Sequence, residues 1–196
     1  DETPAKEVTV YVTISNDGVP IRGRDGTVLC HKAITVPYFD LGRYNLDEYY
    51  RYHTENGEGK YIDTNIVERP TGLHLYLYLL ERYFIGLPEE QCCKGAYPRD
   101  ALASFKLGED VCYMDETPAY TADSFAALTI SGSPTSLYMT NFWGHDENLM
   151  YYRNHCFPYM SPGWGSTSDY IVLSDGDTWD VAMFSNWSFY SSGGAF

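Results

Sequence analysis

Few residues in this chain have types and spacings that suggest chemistry. Cys92 and Cys93 are adjacent, and His74 and His155 are the histidines to weigh beside them. A thiol nucleophile needs a base and an orienting group close in space. No nucleophile motif surrounds these residues, so a disulfide or a buried thiol is the simpler reading. Asp175, Asp177 and Asp180 offer oxygens of the kind calcium takes. Their spacing is not that of a helix-pair calcium loop, and Asp180 alternates with Trp179 and Val181 as on a strand. A polar hairpin turn with Gly176 at positive φ accounts for them. Lys32 falls on an otherwise apolar strand face. A lysine buried there needs a partner, and a cross-link to an asparagine is one outcome. A twist or bulge that returns the amine to solvent is the simpler one. The residues therefore assign no catalytic group, no metal ligand and no cofactor site.

The aromatic residues give a better lead. Trp164 sits between Gly163 and Gly165 in the stretch from Ser161 to Ser166. A tryptophan in such a loop can stack on a sugar or insert into a protein partner. The expected binding face is Trp164 and Tyr159, joined by Trp143. Trp179 shares its strand side with Val181 and Met183 and is expected in the core.

Composition narrows the class. The chain has 196 residues and a net charge of −14, with 13 basic and 27 acidic side chains. Clustered Lys and Arg are absent, which excludes nucleic acid as a partner. The longest apolar run, Leu73 to Leu80, contains His74 and is too short to span a membrane. Hydrophobic residues make up 44% and aromatics 16%, with 19 tyrosines. That suffices for one domain with a core. The five cysteines leave at least one unpaired in a monomer. The expected bond joins Cys92 or Cys93 to Cys112. The alternative keeps all five reduced, with Cys30 and Cys156 as core fillers. The polar lead-in from Asp1 to Glu7 suggests a segment of a larger multidomain chain, extracellular or at the cell surface.

The elements that must position these residues follow from periodicity. Val8, Val10, Val12 and Ile14 alternate with Thr9, Tyr11 and Thr13, which predicts a strand with one buried face. Asn16-Asp17-Gly18 predicts a turn, and a second strand is expected from about Thr27 to Val36. Asn45 is read as the N-cap of a short helix or turn. The main helix is predicted from about Thr71 to Phe84, with Leu73, Tyr76, Leu77, Leu80 and Phe84 on one face, and Gly86 and Pro88 ending it. From about 88 to 124 the chain has no clean period and reads as an irregular excursion. Strand signals resume at Leu128, Leu137–Phe142, Leu149–Arg153, Ser168–Leu173 and Thr178–Phe184. The fold class is α+β: a mixed or antiparallel sheet packed on one main helix, with an irregular insertion.

The run from Arg69 to Tyr83, then Ser136–Gly144, Asn148–Asn154 and Ser168–Phe184, resembles a known family. It is similar to the β-grasp-type domain of extracellular proteins of Gram-positive, often clostridial, bacteria. That domain in turn resembles the C-terminal β-domain of transcobalamin. The family's hairpin tryptophan is Leu149 here, and its glycine after the asparagine is His155. The resemblance implies a non-catalytic binding or adhesion module with a protein or glycan partner. The alternatives are a spacer domain without a ligand, and then a corrinoid-binding module or a thiol-dependent enzyme.

Overall fold

The computed structural model describes residues 6–46, 69–104, 128–133, 136–143, 149–155 and 172–184. In chain order the elements are β1 (Glu7–Asn16), β2 (Val19–Pro20) and β3 (Lys32–Pro37). Then come a 3-10 turn (Leu41–Tyr44), helix α1 (Gly72–Leu79) and a π-helical turn (Leu80–Ile85). A second 3-10 turn (Glu89–Gln91) and helix α2 (Arg99–Ser104) follow. The last strands are β4 (Leu128–Ser133), β5 (Ser136–Phe142), β6 (Leu149–Arg153) and β7 (Thr178–Met183).

The main sheet is mixed. β1 pairs antiparallel with β3, from Glu7↔Pro37 to Val12↔Lys32, and with the short β2 at Ser15↔Pro20. On its other edge β1 runs parallel to β7, which pairs antiparallel with β6. Two hairpin-like pairs thus meet along a parallel central seam, with the main helix between them in sequence. This is the α+β arrangement, a mixed sheet with one main helix, that the alternation and the helix predicted. β4 and β5 form a separate antiparallel pair, with a register shift between Thr129 and Ile130. Among the described residues no helix is long and apolar enough to cross a membrane.

Period-two alternation in β1 does what it predicts: Val8, Val10, Val12 and Ile14 are buried, and Thr9, Tyr11 and Thr13 are half-exposed. Trp179, Val181 and Met183 of β7 join that buried face, as do Leu149 and Tyr151 of β6. The turn after β1 has Asp17 and Gly18 both at positive φ, the twist that suits a two-residue hairpin loop. The second strand is shorter than predicted. His31 takes φ 47°, which breaks the run, and β3 starts at Lys32. That break leaves Lys32 and Cys30 exposed, so neither the buried lysine nor Cys30 as a core filler holds.

Helix α1 is predicted with one apolar face, yet every residue from Gly72 to Leu79 is buried. Its surroundings explain this. Tyr76 meets Trp179, Tyr151 and Phe142, while His74 meets Tyr38 and Phe39. Phe84, one turn past α1, packs edge-on to Trp143. A helix apolar all round belongs in an interior. Asn45 ends the first 3-10 turn in a left-handed conformation, and Asp40 caps that turn, its carboxylate accepting the Gly42 N–H at 2.8 Å; the short helix expected after Asn45 lies outside the described residues. The stretch expected to be irregular contains α2, which lies against β4. The strand expected at Ser168–Leu173 shows its last two residues among those described. Val172 bridges to Thr71, at the entrance to α1, and not to β7.

Candidate functional site

Two polar clusters stand out, one buried and one on the sheet face opposite the core. The buried cluster arises where the main helix widens into the π-helical turn. The N–H groups of Gly86 and Leu87 both donate to the Glu81 carbonyl, at 3.1 and 2.8 Å. Gly86 adopts the left-handed conformation that ends the turn. π-turns often lie at sites with a special side chain. Here the side chain is Glu81, fully buried. Its Oε1 accepts the Tyr44 hydroxyl and the Cys93 N–H, the latter at 3.2 Å. Its Oε2 has no partner among the described residues. The Arg43 guanidinium donates to the Cys93 carbonyl at 2.9 Å, so the 92–95 segment is fastened from both sides.

Burial pushes the Glu81 carboxyl above its ordinary value, against the Tyr44 and Cys93 hydrogen bonds that lower it. Burial and the neighbouring Glu81 push the Cys92 thiol up to about 11 and the Cys93 thiol up to about 12. A reactive cysteine needs the opposite, an electropositive setting that favours thiolate. Cys30, Cys92 and Cys93 carry free thiols. The expected partner Cys112 lies outside the described residues, as does Cys156. His74 is occupied elsewhere. Its Nδ1 accepts the Thr71 N–H at 3.0 Å, and its Nε2–H donates to the Phe39 carbonyl at 2.9 Å. Burial holds this imidazole down at about 4, so it is neutral at pH 7. The sequence motif missed Glu81 because a lone glutamate in a helix usually faces solvent.

The second cluster is formed by the side chains that alternation turns outward. Thr9, Tyr11 and Thr13 of β1 stand beside Thr35 of β3 and beside Thr178 and Asp180 of β7. Tyr11 stacks on His31, with ring centroids 4.7 Å apart and planes 11° from parallel. The His31 N–H donates to the Thr13 hydroxyl at 2.8 Å, and the Thr9 and Thr35 hydroxyls meet at 2.9 Å. Asp180 lies 3.3 Å from His155. Burial raises its carboxyl, and His155, Thr13 and His31 counter that. Farther along the same face, Tyr152, Ala182 and Phe184 form a small buried apolar cluster. Among the described residues no His, Cys, Asp or Glu group is arranged to hold a metal ion.

The acidic turn has a structural role. Gly176 has φ 83°, and Asp175 accepts the Thr9 N–H at 2.8 Å. Asp177 is paired with Arg153 at 2.7 Å and with the Asn154 amide at 3.0 Å. Of the expected binding face, Trp143 is 2% exposed and wedged against Phe84 and Phe142, so its ring is committed to the core. Trp164 and Tyr159 lie outside the described residues. Trp179 is fully buried, as its strand parity predicts. No family model, no curated protein and no solved structure matches this chain.

Proposed function

We propose that this protein is a non-catalytic binding or adhesion module of an extracellular or cell-surface protein, related to the β-grasp domains that resemble the transcobalamin β-domain. The observation that carries the reading is the polar sheet face opposite the core. It presents a stacked Tyr11–His31 pair among threonine hydroxyls, beside the half-buried Asp180. Flat aromatic surface with adjacent hydroxyl and carboxylate groups is what sugar rings and polar peptide strands require. Cys92, Cys93 and His74, weighed for thiol catalysis, are buried inside the fold, which supports a binding role over the thiol-enzyme alternative. The sequence offers Tyr159 and Trp164 as a second candidate contact.

The test is binding of the intact chain to a glycan array and to immobilised mucosal glycoproteins, alongside His31→Ala, Tyr11→Thr and Trp164→Ala. Losing one stacking surface costs about 1 kcal/mol, roughly fivefold in Kd. Hits that none of the three variants weakens would remove both surfaces from the reading. A complete lack of hits would favour the spacer alternative.

A further inference from the structure

We infer that the main sheet is built to carry tension along the chain, whether or not the domain also holds a ligand. Among the described residues β1 is the first strand of this sheet in chain order and β7 the last, and the two are parallel neighbours from Tyr11↔Thr178 to Asn16↔Met183. Tension arriving from before Glu7 and after Met183 pulls β1 toward its N-terminal end and β7 toward its C-terminal end. Parallel neighbours loaded this way must slide past each other. Their hydrogen bonds lie across the pull and are strained together, whereas strands peeled from one end lose them singly.

Both ends of the seam are fastened. Where β1 is pulled, its Tyr11 N–H donates to the Asp177 carbonyl at 2.8 Å, and the Gly176 N–H donates to the Thr9 carbonyl at 2.9 Å. The Thr9 N–H donates to the Asp175 carboxylate, and Asp177 is held in turn by Arg153 and Asn154 beyond β7. At the opposite end the Asp17 N–H donates to the Met183 carbonyl at 2.9 Å. Sliding is also opposed from beneath. Val12, Ile14, Trp179, Val181 and Met183 are all fully buried under the seam. A one-residue slip would turn the apolar set of either strand to the polar face. β1 is gripped on its other edge by β3, so it cannot swing out of the sheet to escape the load.

The experiment is single-molecule force spectroscopy on the full chain between reference domains, with forced rupture reporting the unfolding barrier. The native chain is first pulled through its two ends. A variant with an azide-bearing residue at the exposed Thr35 is then pulled both ways: through its ends, and between its N-terminal end and position 35. Thr35 pairs with Thr9, so the second geometry peels β3 from β1. The expected result is an end-to-end rupture force several-fold above the peeling force at equal loading rate, with the native chain and the variant agreeing end to end. Equal forces in the two geometries, or a lower end-to-end force in both proteins, would overturn the inference.

Discussion

The buried histidine offers the sharpest quantitative test. His74 is 2% exposed and fixes its tautomer through two backbone groups. Nδ1 must keep its lone pair to accept the Thr71 N–H, and Nε2 must carry the proton that goes to the Phe39 carbonyl. Protonation would place a second N–H against the Thr71 N–H and a charge in the interior. The folded value near 4 lies below the ordinary 6.5. The sign follows: the unfolded chain takes up this proton first, so the contribution is whole above 6.5 and is lost as pH falls toward 4. The loss is about 2 kcal/mol at pH 5 and about 3 kcal/mol at pH 4, a large part of the 5–15 kcal/mol typical of a domain. Glu81 acts in the opposite sense, because its raised value gives stability at low pH that is lost as pH rises through it. Comparing the chain with His74→Gln cancels Glu81 and every other shared group. Urea unfolding, followed by the fluorescence of the buried Trp143 and Trp179, gives both curves from pH 8 to 4. The variant is expected to be less stable at pH 8 by about 1–3 kcal/mol, from imperfect replacement of two buried hydrogen bonds. Its deficit should shrink steadily below pH 6.5. Parallel curves over that range would refute the argument, as would an imidazole titrating near 6.5 in the folded protein by NMR.

Two further outcomes follow from the clamp around Glu81. Gly95 has φ 73°, and a Cβ there would overlap the Arg43 carbonyl and stand 2.9 Å from Arg43 Cβ. Gly95→Ala should cost about 2–3 kcal/mol in urea unfolding, combining left-handed strain with a backbone clash; a loss under half a kcal/mol would show that the segment is not fastened there. Iodoacetamide at pH 8 should label Cys30 in the native protein and spare Cys92 and Cys93, which react only after unfolding, because both are buried with strongly raised thiol values. Peptide mapping decides it, and labelling of Cys92 or Cys93 at the Cys30 rate would reopen thiol chemistry.

The strands were legible where one face is wet and the other dry. Val8 to Ile14 alternate without exception, Trp179 to Met183 do so up to the buried Ala182, and parity alone placed Trp179 inside. Gly176 and Gly86 were legible as punctuation because their positive φ suits a residue without Cβ. His31 was not, since nothing local marks a histidine for the left-handed conformation that ends the strand run early and frees Lys32. Trp143, expected to join the binding face, is 2% exposed, and at φ 57° it packs edge-on against Phe84. The Tyr11–His31 pair joins residues twenty positions apart. Only the register of β1 on β3 brings them together, and no spacing rule foretells that register.

The same limit applies to the helix, and it gives the buried polar groups a reason. A helix apolar on every side receives no orienting signal from burial, because the hydrophobic effect is non-directional. Rotating α1 about its axis would exchange one buried side chain for another at little cost. His74 and Glu81 remove that freedom. They are seven residues apart, two turns, and so share a side of the helix. Both reach the same short segment, His74 to the Phe39 carbonyl and Glu81 to the Tyr44 hydroxyl. Hydrogen bonds have narrow angular preference, and losing either would leave a buried polar group unpaired. Tyr76 is thereby held on the side that faces Trp179 and Tyr151, beneath the seam of β1 and β7. His74, which looked like chemistry in the sequence, and Glu81, which did not, thus set the rotation of the helix under the sheet.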